Sequence, residues 1–165
     1  MSRSARWFPF VLAAFIAAAD RATKTLVESR VAPWEMVPVI PGLFQIVFLR
    51  NTGIAFGFLQ SSTGETNILL TLFTLAVLGF LGWLLWHSCR PASFEHWTMR
   101  YGLACVLGGA AGNLFDRLVF RGVTDFLDFY WGRHHFPAFN VADAAITTGA
   151  GLLLLNLWIM RGKRH

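Results

Sequence analysis

NILLTLFTLAVLGFLGWLLWH, residues 67–87, decides the fold class. Nothing in it is charged at neutral pH apart from a protonated His87. About 20 helical residues cross the roughly 30 Å hydrocarbon core of a bilayer, so this run predicts a transmembrane helix. Met99–Phe120 and Phe136–Met160 are comparable in length, each with its polar residues near one end. An earlier run, Trp7–Ala19, is short and reaches spanning length only if its helix continues through Asp20, Arg21 and Lys24. One helical turn carries those side chains into the headgroup zone, where long basic chains snorkel. An alternative takes Arg3, Arg6, the apolar stretch and Ala17-Ala18-Ala19 as a signal peptide with a small-residue cleavage site. The four-residue spacing of Asp20 and Lys24, which lets them pair on one face, favours a retained helix.

Composition agrees with a membrane chain. Of 165 residues, 55% are apolar and 14% charged, against about 25% charged in soluble proteins. Without a linker or internal repeat, residues 1–165 read as a single membrane-embedded domain. Four spans put both termini on one side. Arg3 and Arg6, then Arg90 and Arg100, then Arg161, Lys163 and Arg164 all fall on that side. By the positive-inside rule the termini are cytoplasmic and the connections 21–66 and 117–135 external. The net charge of +5 then reflects topology and contact with anionic membrane lipids, and needs no nucleic acid.

The first external segment contains VPVIPGLFQIVFLRNTGIAFGF, rich in β-branched and aromatic residues, with Pro38, Pro41 and Gly42 as breakers and Asn51-Thr52-Gly53 as a turn signal. It predicts a small apolar β-element on the membrane surface, either an interfacial packing plate or a platform for an extended peptide. Trp34, Tyr130 and Trp131 fit an aromatic interface belt. The expected architecture is an α-helical integral membrane protein of four transmembrane helices, with a small external β-element and a short external helical loop.

Ionisable groups at membrane depth are costly and mark function by default. Asp116 closes the third apolar run, Asp143 opens the fourth, and Asp125 lies between them in GVTDFLDF. Asn113, Asp116 and Arg117 stand at i, i+3 and i+4, and Asn140 and Asp143 at i and i+3, so each acid has an amide beside it. Gly108 and Gly112 form a small-xxx-small pattern for close helix packing, which would bring the two polar faces together. Asp116, beside Arg117 and one turn from Asn113, reads as a paired brace. Asp128, one turn from Asp125, reads as a solvated surface acid. Asn51 either satisfies substrate backbone or holds its turn.

Other chemistries find little support. Cys89 and Cys105 lack CxxC spacing, His134-His135 has no HExxH beside it, and Ser29 near Lys24 is a weak candidate for a serine–lysine peptidase. A proton- or ion-coupled transporter would also place acids and an arginine in a membrane. Transporters, however, carry internal repeats and helices broken at the midplane, and neither is visible. A non-catalytic assembly factor would leave Asp125 and Asp143 without a reason to converge.

The blocks DRATK (20–24), NTGIAF (51–56), GGAAGNLFDR (108–117), TDF (124–126) and FNVADAAI (139–146) resemble the lipoprotein signal peptidase (signal peptidase II) family, in order and spacing over nearly the whole chain. The resemblance implies an aspartic endopeptidase of the bacterial inner membrane, active at its external face and requiring no metal or cofactor. Its implied substrate is a diacylglyceryl-modified prolipoprotein, cut just before the lipidated lipobox cysteine. Globomycin-type cyclic peptides are the implied inhibitors, and a monomer the implied state. Carried onto this sequence, the catalytic pair falls on Asp125 and Asp143. Asp20, Lys24, Asn51, Asn113, Asp116, Arg117 and Asn140 match positions that support the site or the fold. Ala144, Ile54 and Gly57 depart from residues common in the family, without touching a catalytic carboxylate.

Overall fold

The computed structural model describes residues 6–52, 65–90 and 96–162. Ile54, Gly57, Gly53 of the expected turn, and the basic residues Arg3, Lys163 and Arg164 lie outside the described residues. Among the described residues the elements run α1 (Phe8–Arg30), β1 (Met36–Ile40), β2 (Phe44–Asn51), α2 (Glu65–Ser88), α3 (Trp97–Phe120), β3 (Val123–Trp131), β4 (His134–His135) and α4 (Val141–Gly162).

Three of the helices, among the described residues, are long and apolar enough to cross a membrane: Ile68–Ser88, Trp97–Phe120 and Val141–Gly162. The protein is therefore a multi-pass membrane protein. Along α2, Leu69, Leu72, Phe73, Phe80 and Trp83 are exposed, as are Leu154, Leu157 and Trp158 along α4. Such continuous apolar surfaces need an apolar solvent. Helix α1 has the length, 23 residues, but Asp20, Arg21, Lys24, Glu28 and Arg30 crowd its second half.

Helix α3 is the central post, more than half buried, and packs against α1, α2 and α4. Small residues permit this. A Cβ at Gly108 would stand 2.5 Å from the Ala13 carbonyl oxygen of α1, and one at Gly149 would stand 2.7 Å from the Gly102 carbonyl oxygen. A Cβ at Gly109 would strike the Ala142 carbonyl oxygen in the first turn of α4. A Cβ at Gly112 would fall 2.6 Å from Asp20 Oδ2, so this glycine makes room for a carboxylate as well as for a helix. Close approach of this kind is what small residues contribute where lipid supplies no hydrophobic drive between helices.

The strands form one antiparallel sheet in the order β1-β2-β3-β4. Of the apolar β-element expected in 37–58, the described residues form β1 and β2, and 53–58 lie outside them. The expected short helical loop at 121–135 is instead β3 and β4. Asp125 and Asp128 mislead there, because a spacing of three reads as one helical turn, whereas on a strand it points the two side chains to opposite faces. The chain enters β3 abruptly: Arg121 takes the left-handed conformation (φ 58°) that ends α3, and Gly122 lies where a Cβ would press on Arg50 and the Asn51 carbonyl. Two residues thus separate the polar end of α3 from the strand bearing Asp125. Helix α4 starts at Val141, not Phe136, because Phe139 is held in a bridge to Leu127 of β3.

Candidate active site

Asn140 organises the site. As the residue before α4, its Oδ1 accepts the Asp143 N–H at 2.9 Å, while Asp143 Oδ2 accepts the Asn140 N–H at 3.2 Å. This is a reciprocal capping box, with an aspartate in the third helical position where a glutamate is usual. The Asn140 Nδ2 donates to Asp125 Oδ1 at 2.7 Å and to the Thr124 carbonyl at 3.3 Å. Asn140 therefore meets both carboxylates, that of Asp125 through its side-chain amide and that of Asp143 through its backbone N–H.

The remaining oxygens are also held. Asn113 Nδ2 donates to Asp143 Oδ1 at 2.9 Å, and Asn51 Nδ2 donates to Asp125 Oδ2 at 3.1 Å. Asn51 pairs with Val123 across the β2–β3 ladder, one diagonal step from Asp125, so both side chains share a face. From the end of β2, the Asn51 amide thus meets a carboxylate. Asp125 is buried and Asp143 half-buried. Burial, then the neighbouring charge of Asp143, push the Asp125 carboxyl up to about 6, against the opposing pull of Asn51, Asn140 and Lys24. Arg117 donates to the Asn113 carbonyl at 3.4 Å and lies within electrostatic reach of Asp143 and Asp125.

Behind the pair lies an ion network. The fully buried Lys24 ammonium meets Asp20 at 2.6 Å, Asp116 at 2.9 Å and the Asn113 side-chain oxygen at 3.0 Å, one acceptor for each of its protons. Asp20 Oδ1 accepts the Ala142 N–H at 2.9 Å, placing an anion on the N-terminus of α4. Asp116 also accepts from Arg21 at 2.7 Å and from the Thr124 N–H at 3.3 Å. Asp116, expected to pair beside Arg117, has ion pairs with Lys24 and Arg21 of α1. Arg21 bonds Glu28, which accepts from the Thr124 hydroxyl at 2.6 Å. Arg50 donates to that hydroxyl at 2.9 Å. Three acids, Asp20, Glu28 and Asp116, thus stand with three bases, Arg21, Lys24 and Arg50.

Arg21, Glu28, Arg50 and Thr124 are members that the spacing argument missed. On α1, positions 20, 21, 24 and 28 follow helical steps of three and four, the signal that could have revealed them. Asp128 corrects an expectation: it is buried rather than solvated, accepting from Gln45 Nε2 at 2.6 Å and facing His135 Nδ1 at 2.9 Å. Gln45 is its direct partner across the sheet. Ser29 is exposed and donates to the Leu26 carbonyl, with Lys24 committed elsewhere.

Two carboxylates from different elements, one bound to a helix start and one buried in a strand, can divide acid and base work. The model of the family described as signal peptidase (SPase) II matches residues 12–159. A lipoprotein signal peptidase of Solibacter usitatus is 48% identical over 162 residues, covering 97% of this chain and 94% of its own. That of Syntrophotalea carbinolica is 41% identical over 155 residues, covering 94% and 92%. A solved structure described as a bacterial membrane enzyme matches with a TM-score of 0.77 at 26% identity, over 96% of this chain and 92% of its own. A second so described gives 0.75 at 27%, over 91% and 92%. With nearly its whole length matched, this chain belongs to the signal peptidase II family and is a lipoprotein signal peptidase, which removes signal peptides from prolipoproteins.

Proposed function

We propose that this peptidase is a two-aspartate endopeptidase, with Asp125 and Asp143 as its catalytic pair. The observation that carries the reading is Asn140, which meets the Asp125 carboxylate with its side-chain amide and the Asp143 carboxylate with its backbone N–H, where the sheet meets the end of α3 and the start of α4. Two carboxyl groups so close cannot both ionise cheaply, so the pair holds one proton. Burial and the charge of Asp143 push the Asp125 carboxyl up to about 6, which favours its neutral form. The charge of the other is balanced by Arg117, which lies within reach of both.

Asp143 takes a proton from water as the water oxygen attacks the scissile carbonyl carbon. Asp125 gives its proton to the leaving nitrogen as the C–N bond breaks, and the products are a free carboxylate and a new amine. Asn51, Asn113 and Asn140 fix the oxygens. Asp20, Lys24 and Asp116 hold α1, α3 and the start of α4 in register.

The substrate is a prolipoprotein already carrying diacylglycerol, cut before the lipidated lipobox cysteine. The chain acts as a single peptidase domain and a monomer in the bacterial inner membrane. Helix α1 is the fourth span, the termini are cytoplasmic, and the site faces outward. Trp34 and Trp131, 80% and 83% exposed on the sheet side, suit an interface at that level. Globomycin-type cyclic peptides block the site by placing a polar group between the two carboxylates. A transporter is disfavoured by the pairing of Asp116 with Lys24 and Arg21, which leaves no free relay acid there.

Lipid dependence tests the substrate. Each buried methylene is worth about 0.8 kcal/mol, so the diacylglyceryl chains, kept in the bilayer, supply much of the energy that positions the scissile bond. Purified protein in detergent should cut a lipidated lipobox peptide far faster than the same peptide without lipid. Equal rates would leave a general membrane aspartic protease as the better description.

A further inference from the structure

At the end of the bundle away from the carboxylate pair, the start of α1 and the end of α2 enclose a cavity of about 310 Å³ lined by Arg6, Trp7, Phe10, Trp86, Cys89 and Arg90. We propose that this cavity binds the phosphodiester headgroup of an anionic phospholipid, Arg6 and Arg90 gripping the phosphate and the aromatic wall receiving the chain beneath it.

Three observations carry the assignment. The buried Arg6 Nε finds no hydrogen-bond acceptor among the described residues, although a buried guanidinium N–H is costly to leave unpaired. A phosphate oxygen is the acceptor a guanidinium fork fits best. The charge of this end is also one-sided: among the described residues, segments 6–7, 88–90, 96–98 and 157–162 contain Arg6, Arg90 and Arg161 and no acid. Basic pockets between transmembrane helices are the expected seats of anionic headgroups.

The walls distinguish a lipid from a soluble phosphate. Trp7, Phe10 and Trp86 form a mutually packed trio, with ring centroids 5.8 to 6.3 Å apart, and the Arg6 guanidinium lies 5.5 Å from the Trp7 ring. Phe8, Val11 and Trp83, exposed on the same two helices, continue the apolar surface toward the bilayer. A chain leaving the phosphate has a path there, whereas a free phosphate would leave the aromatic wall unused.

Native mass spectrometry of the full chain, released from detergent with phosphatidylglycerol or phosphatidylcholine, tests the site. Phosphatidylglycerol should bind about tenfold more tightly, the scale of one charge-assisted contact. Arg6→Gln and Arg90→Gln should each erase the preference, while Arg161→Gln, which removes the same charge outside the cavity, should keep it. Glycerol 3-phosphate at equal concentration should not compete. Equal affinity of the wild type for the two lipids overturns the proposal whatever the variants do. So does an equal loss with Arg161→Gln, or full competition by glycerol 3-phosphate. Phosphatidylcholine binding in the same samples separates a lost site from a lost fold.

Discussion

Asn140 performs two tasks that one substitution can separate. Serine caps a helix about as well as asparagine, but it has no amide to extend to Asp125. Asn140→Ser should therefore melt close to wild type while cleavage falls about a hundredfold, the scale of a misplaced catalytic group. Asn140→Ala should lose the activity and also about 1 kcal/mol of stability with the cap. Equal melting loss in both variants would make Asn140 merely structural. Asp125 gives a second handle, through pH. Its carboxyl rises from 3.8 to about 6, so the fold favours the neutral form. That contribution to stability is complete below 3.8 and is lost as pH rises through about 6. Asp125→Asn has no proton to lose, so its melting temperature relative to wild type should climb between pH 4 and pH 7. A flat difference would contradict the placement of Asp125. At this scale the amide beside each acid was legible, since helical steps of three and four set Asn113 and Asn140 against carboxylates. The burial of Asp128 was not, because its partner Gln45 is 83 residues away in sequence and meets it only across the sheet.

At the scale of elements, α1 is a polar insert as much as a span. Its Lys24 is fully buried between Asp20 and Asp116, so Lys24→Met would leave Asp20 without a cation in a low-dielectric place and Asp116 with Arg21 alone. Breaking a buried pair by removing one partner costs about 3 to 5 kcal/mol. The melting temperature in detergent should drop clearly, with activity falling in proportion to the folded fraction. Unchanged melting with lost activity would move Lys24 from brace to chemistry. The helices were legible because apolar runs of spanning length have few other readings, and the pairing of Asp20 with Lys24 followed from their spacing. Strand β3 was not legible: VTDFLDFYW carries two acids, and its strand character comes from the ladder to β2, a non-local cause. The start of α4 moved for a similar reason, since Phe139 is claimed by the strand before Asn140 can cap the helix.

At the scale of the whole molecule, the acids of the candidate site gather at one end of an apolar bundle. Helix α3 brings Asn113, Asp116 and Arg117 to that end, α4 starts there with Asp143, and the sheet covers it with Asp125. A peptide lying along the sheet could then meet both carboxylates while its lipid stays beside the exposed apolar faces of the helices. Sequence order alone placed the acids at helix ends; their convergence needed the close packing that Gly108, Gly109 and Gly112 allow. The most direct test of the carboxylate pair is cleavage of a lipidated prolipoprotein peptide by purified Asp125→Asn, Asp143→Asn and Asp128→Asn, each shown by melting to be folded. The account predicts that the first two lose cleavage, by about a hundredfold or more, while Asp128→Asn, whose carboxylate faces Gln45 and His135, still cuts. Near-normal turnover by folded Asp125→Asn or Asp143→Asn would contradict it.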